Sequence, residues 1–237
     1  MVRGLSALLG AYALALAYLI VAPHLPAPSD IDGAALASGA AGLVVFALCA
    51  LALVGAWDEP VPLVLAAFGA GLITAVLTAT DARTAEDLFK VAAVSALGLL
   101  LAWALRSMPG VVIAVPVFVA AIDLWSVLSG PTSQLLRTQP EALDHLSFVL
   151  PAWKGGLGAA QLGVSDIVFM AFFAGCAWRY RLRRWVTAPL LVVSLVATLA
   201  VGVWADRAVP ALPGLALALL VPNLDRLPGV LRAQPHR

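Results

Sequence analysis

Two aspartates stand apart from the thirteen acidic residues of this 237-residue chain. Most acids fall between apolar runs or at their ends. Asp123 instead lies inside VPVFVAAIDLWSVLSG and Asp166 inside AAQLGVSDIVFMAFFAG. A carboxylate in such surroundings, with no Lys or Arg in the central part of its run, is costly and marks a functional site by default. Two of them side by side share one proton, because like charges about 3 Å apart do not both ionise. Their titration then belongs to the pair. The ionised member activates a water, while the protonated member polarises a carbonyl and passes a proton to the leaving nitrogen. Such hydrolysis needs neither a metal nor a covalent nucleophile. The chain has no zinc-ligand spacing and no nucleophile-elbow motif, and His24, His145 and His236 fall outside the apolar runs.

The composition says where this chemistry must be housed. Hydrophobic residues make up 62% and charged residues 11%, against about 45–50% and 25% in soluble domains. Mean hydropathy is +1.00. A soluble chain of this length has too little core volume to hide so much apolar surface. A net charge of +1 without a broad basic face argues against a nucleic-acid partner. A multi-pass membrane protein remains, with the lipid bilayer as its surroundings. Cys49 and Cys176 lie in apolar runs and read as buried small hydrophobes. Twelve Arg against two Lys, with abundant Ala, suggest a GC-rich prokaryotic genome and hence a plasma membrane.

A helix needs about 20 apolar residues to cross the hydrocarbon. Eight stretches qualify: 5–22, 34–57, 61–80, 88–106, 109–128, 156–178, 185–205 and the short 208–224. Trp57, Trp153, Trp178, Trp185 and Trp204 stand at or near their ends, as an interfacial belt requires. The first stretch has an alternative as a signal peptide, with Arg3 ahead of it and small residues near Ala27, but its apolar run is long for that. With eight alternating spans, nine Lys/Arg fall on one side and five on the other. Both termini are therefore expected in the cytoplasm, and the 129–155 loop outside. The four arginines of RYRLRR at 179–184 dominate this count.

Helical spacing places Gly163 three residues before Asp166, on the same face, where a small residue admits a neighbouring helix or a substrate backbone. Ser126 and Gly130 follow Asp123 at i+3 and i+7, and Pro116 is expected to bend that helix. The third feature is Val209-Pro210-Ala211-Leu212-Pro213 at the head of the last span. Two prolines remove two donors and resist helix entry, so this backbone is expected to stay partly unwound. Such backbone persists at membrane depth only beside protein or a wet cavity, and it could pair with an extended substrate. A simple proline-capped helix start explains the prolines equally well.

Together these features resemble the intramembrane aspartyl proteases of the presenilin and signal peptide peptidase group. That family has Tyr-Asp in one span, Gly-x-Gly-Asp in the next and Pro-Ala-Leu two spans later. Asp123, followed by Leu124, Val127 and Leu128, matches the first motif. Leu162, Gly163, Asp166, Phe169 and Gly175 match the second, and Pro210, Ala211, Leu212 and Pro213 the third. The likeness covers about 109–220. It implies an all-α, polytopic transmembrane bundle: N-terminal helices in 1–107, and a catalytic half in 108–237. It also implies Asp123 and Asp166 as the catalytic pair, with Gly163, Ser165, Pro210, Ala211 and Leu212 against the substrate. Transmembrane peptide segments would be cleaved after unwinding, with no cofactor, no metal and no obligatory partner subunit.

Ile122 stands where the family has tyrosine, and Ser165 where it has the second glycine. A catalytically weak or inactive member of the fold is therefore an alternative. A proton-coupled transporter using the intramembrane acids is another. The family plan has nine spans, five of them before the first aspartate, whereas four are counted here. With the N-terminus inside, the active-site helices would then lie as in signal peptide peptidase, and type II segments would be the substrates. The 129–155 loop is short beside presenilin's, which disfavours self-cleavage there.

Overall fold

The computed structural model describes residues 2–56, 59–80, 83–130, 147–154 and 160–232. Most of the 129–155 loop, with Arg137 and His145, lies outside these residues, as do Trp57, His236 and Arg237. Nine α-helices are found among the described residues: α1 Val2–Val21, α2 Ile31–Ala52, α3 Pro60–Ala79, α4 Arg83–Ala104, α5 Val111–Leu128, α6 Val164–Arg179, α7 Arg184–Ala205, α8 Leu212–Leu220 and α9 Leu227–Arg232. One antiparallel hairpin, β1 Ser147–Val149 and β2 Gln161–Gly163, precedes α6. Six helices are long and apolar enough to cross a membrane by length and composition: α1 to α5 and α7. The chain is thus an all-α membrane bundle with little sheet.

Punctuation residues set the boundaries. Asp30 caps α2 by accepting the Gly33 N–H at 2.7 Å, which satisfies one of the orphan donors of the first turn. Pro60 opens α3, where its missing N–H costs nothing. Asp206 closes α7 in the left-handed region at φ 46°, a conformation that a short polar side chain tolerates.

α4 and α6 form the centre, with α3 outside α4, α2 between α1 and α7, and α8 between α5 and α7. Phe46, Phe148, Leu99, Ile167, Phe172 and Phe173 are buried there. Both cysteines are buried and free. α3 is the opposite case: Leu65, Phe68 and Leu72 are each at least 69% exposed, as suits a helix facing lipid.

One element differs from the sequence expectation in type, and one in where its helix begins. The stretch expected as helix from 156 is strand at 161–163, and the helix starts only at Val164. Four glycines among residues 155–163 make this run a poor helix former, and hydropathy alone does not separate strand from helix in a short apolar segment. The last stretch is helical only from Leu212. Residues 208–210 have no regular structure and Pro213 is the second residue of the helix, which fits both the unwound backbone and the proline-capped helix start expected from the two prolines.

α4 and α6 touch at a glycine. A Cβ on Gly98 would run into the carbonyl oxygen of Val168, so the backbones meet without a side chain between them. Gly98→Ala is expected to push the helices apart and destabilise the fold by about 1–3 kcal/mol. Gly10→Ala, which meets open space, is the control. Thermal unfolding in detergent checks this: equal melting temperatures for the two variants would refute the close contact.

Candidate functional site

Asp123 sits on α5, about one and a half turns from its C-terminal end, and is half-buried. Its Oδ2 accepts the backbone N–H of Leu212 at 2.9 Å, and the Ala211 N–H also bears on it. The proline-rich segment makes this possible. Leu212 is the first residue of α8 and Pro213 the second, so the Leu212 N–H has no partner within its own helix and is free to serve a carboxylate from α5.

Asp166 stands in the first turn of α6, not in mid-helix as expected. Its Oδ2 accepts the Gly163 N–H at 3.2 Å. Gly163 is the N-cap in extended conformation at φ −65°, ψ 140°. It is therefore not one helical turn below Asp166 on a shared face. A Cβ at this position would come within 3.0 Å of the Asp166 carboxylate. The glycine leaves that contact to its N–H. A negative group at the N-terminal end of α6 also interacts favourably with the helix dipole.

Both aspartates line one open cavity of about 800 Å³, together with Gly163, Ser165 and Ala211. Among the described residues no hydrogen bond joins the two carboxylates directly; each is held by a backbone N–H of another segment. Pro210 and Leu212 do not form the wall, and Leu212 contributes only its N–H. Ser165 is exposed on the wall. Ile122 is 45% exposed and stands outside the wall, so the side chain at the family's tyrosine position does not touch the cavity. Among the described residues no cluster of His, Cys, Asp and Glu could hold a metal ion.

No family model, curated protein or solved structure matches the chain.

The hairpin forms another part of the wall through Ser147, Gln161, Leu162 and Gly163. Its pairs are Ser147↔Gly163, Phe148↔Leu162 and Val149↔Gln161, and the Leu150 N–H donates to Ala160 at 2.9 Å. Hydrogen-bonded and non-bonded pairs alternate in an antiparallel ladder. The Ser147 carbonyl and Val149 N–H therefore point away from β2. Lys90 on α4 donates to the Ser147 carbonyl at 3.2 Å, and Asp87 meets the Val149 N–H. Lys90 also pairs with Glu86 at 2.8 Å and Asp87 at 3.6 Å, and lies 5.7 Å from the Phe148 ring centre. All three charged side chains are buried. They stand in for a third strand and fix the hairpin that leads into α6.

Sequence reasoning missed this triad, counting Lys90 only as one charge in the topology vote. The spacing Glu86, Asp87, Lys90 at i, i+1 and i+4 was a usable signal, because an acid four residues before a lysine pairs with it on a helix. Asn223 was missed as well. It is fully buried, donating to Thr187 Oγ1 at 2.9 Å and to the Leu219 carbonyl at 2.7 Å while accepting the Arg183 N–H at 2.8 Å. It ties the end of α8 to the α6–α7 turn. No local pattern in the sequence singles it out.

Proposed function

We propose that the chain is a presenilin-like intramembrane aspartyl protease, in which Asp123 and Asp166 activate a water to hydrolyse a peptide bond of a transmembrane segment. The observation that carries this reading is the 2.9 Å hydrogen bond from Leu212 to Asp123. It joins the first and third motifs in space, at a cavity whose wall also holds Asp166 of the second. One carboxylate acts as general base on the water, and the other, protonated, polarises the carbonyl and then serves the leaving nitrogen. Between β2 and residues 208–211 there is room for a substrate unwound into an extended strand. A helical scissile bond is shielded by its own hydrogen bonds.

Ser165 on the wall favours a second reading, a fold member of low activity, since a side chain stands where the family keeps bare backbone. One assay separates the two. The purified protein in detergent is incubated with a single-span peptide substrate, wild type beside Asp123→Asn and Asp166→Asn. Cleavage dependent on both aspartates supports the protease. No cleavage across lipid and pH conditions, with no binding of a transition-state mimic, favours the inactive fold. Flux in liposomes without cleavage favours transport.

Counted over eight spans, one short of the family's nine, the Lys/Arg distribution supports both termini in the cytoplasm; the Arg- and Ala-rich composition supports a prokaryotic cell, and four spans before Asp123 support type II substrates. A tag after Arg237 is expected to resist protease added to intact spheroplasts; digestion of the tag would overturn this topology.

A further inference from the structure

The α6–α7 turn carries arginines that the catalytic reading leaves unused. Arg181, Arg183, Arg184 and Arg226 line a second cavity of about 480 Å³, walled by Trp178 and Trp185. A run of arginines beside a membrane helix is explained by topology alone, so the count of charges decides nothing. The geometry goes further. Arg181 holds a left-handed backbone at φ 50°, and its carbonyl accepts from Arg226 Nη1 at 2.9 Å. Arg183 is committed to the Asp225 carboxylate at 2.9 Å and the Pro222 carbonyl at 2.6 Å. Arg184 lies over the Trp178 ring at 4.1 Å and near the Trp185 ring at 5.3 Å, which fixes its guanidinium without using its N–H donors. Among the described residues nothing accepts a hydrogen bond from the Arg181 or Arg184 side chain. Asp225 neutralises one of four positive charges, and the N-terminal end of α7 adds to the field.

We propose that this cavity binds the phosphate of an anionic phospholipid headgroup. Arg181 and Arg184 supply planar donors suited to phosphate oxygens. Leu182, Val186 and the exposed Trp185 ring supply the apolar flank along which the acyl chains leave. The cavity lies at the start of α7, a helix long enough to cross the membrane, and the end of such a helix is where tryptophans and lipid phosphates are expected to meet. Asn223 links this turn to the end of α8, so a bound headgroup braces α6 against α8, the helices that carry Asp166 and the Leu212 N–H.

The test is thermal unfolding in phosphatidylcholine vesicles with increasing phosphatidylglycerol. The wild type is expected to gain about 4 °C, saturating at low phosphatidylglycerol fraction. The double variant Arg181→Gln/Arg184→Gln loses that gain. Arg179→Gln/Arg232→Gln, which removes equal charge outside the cavity, keeps it. A gain that rises linearly without saturating, or that falls equally in both doubles, would overturn the site. Inorganic phosphate giving the same gain in neutral vesicles would overturn the lipid as occupant. The saturation of the wild-type curve is read without any variant, so a misfolded double does not spare the proposal.

Discussion

Asparagine at Asp123 or at Asp166 is expected to lower the cleavage rate by at least about 10³-fold, within the range that general acid–base groups contribute. Asparagine keeps the size of the side chain and one carbonyl oxygen. The Leu212 N–H at Asp123, or the Gly163 N–H at Asp166, therefore retains an acceptor. What is lost is the ability to hold and release a proton. Melting temperatures should accordingly stay close to wild type while activity disappears. In the proposed mechanism the two residues act on one water and one carbonyl, so the double variant should be no slower than either single one. Initial rates on a single-span substrate check this. More than a tenth of the wild-type rate in either variant would remove that aspartate from the chemistry.

The second large effect is expected far from the carboxylates. Lys90→Met strips the cation from a buried cluster and leaves Glu86 and Asp87 facing one another. Breaking a buried ion pair from one side costs about 3–5 kcal/mol, more than the Gly98 overpacking. The loss should be local first. Lys90 and Asp87 hold the outer edge of β1, so amides of Phe148 and Leu162 should exchange hydrogen faster than those of α7. Because β2 runs without a break into α6, activity should fall with hairpin order. Neutralising all three, with Glu86→Gln and Asp87→Asn added, should recover most of the stability, since no charge is then left unpaired. Unchanged exchange at Phe148 and Leu162 would show that the triad does not hold the hairpin.

Much of the site is written in local patterns. The two aspartates stood out because charge in an apolar run is visible in one dimension; Ser165 and Ala211 came only from the resemblance, and Gly163 was singled out by a helical spacing that its extended N-cap conformation does not have. The use of Leu212 was legible only in part: two prolines announce unwound backbone, but not that its free N–H reaches a residue 89 positions earlier. The hairpin was not legible. Residues 161–163 look as apolar as a helix, and their pairing depends on β1 and on Lys90, 57 positions before Ser147. Asn223 was hidden for the same reason, because its partners Thr187 and Arg183 belong to another helix and turn. Hydropathy marked the place of every helix but α9, which lies beyond the last apolar stretch, while the late start of α6 followed from glycines that hydropathy does not weigh.

α6 and α8 are short. At about 1.5 Å per residue, the 16 residues of α6 reach roughly 24 Å, and the 9 of α8 roughly 14 Å, against a hydrocarbon thickness of about 30 Å. α6 is mostly buried in the centre, but lipid beside the shorter α8, whose Leu217 is exposed, is expected to thin to match it, at a cost of fractions of a kcal/mol per Å. On that flank the polar surface of the bilayer is expected to dip inward. Water is then expected to reach the cavity of the two aspartates from the nearer headgroups, without the protein having to build a long channel through its apolar interior.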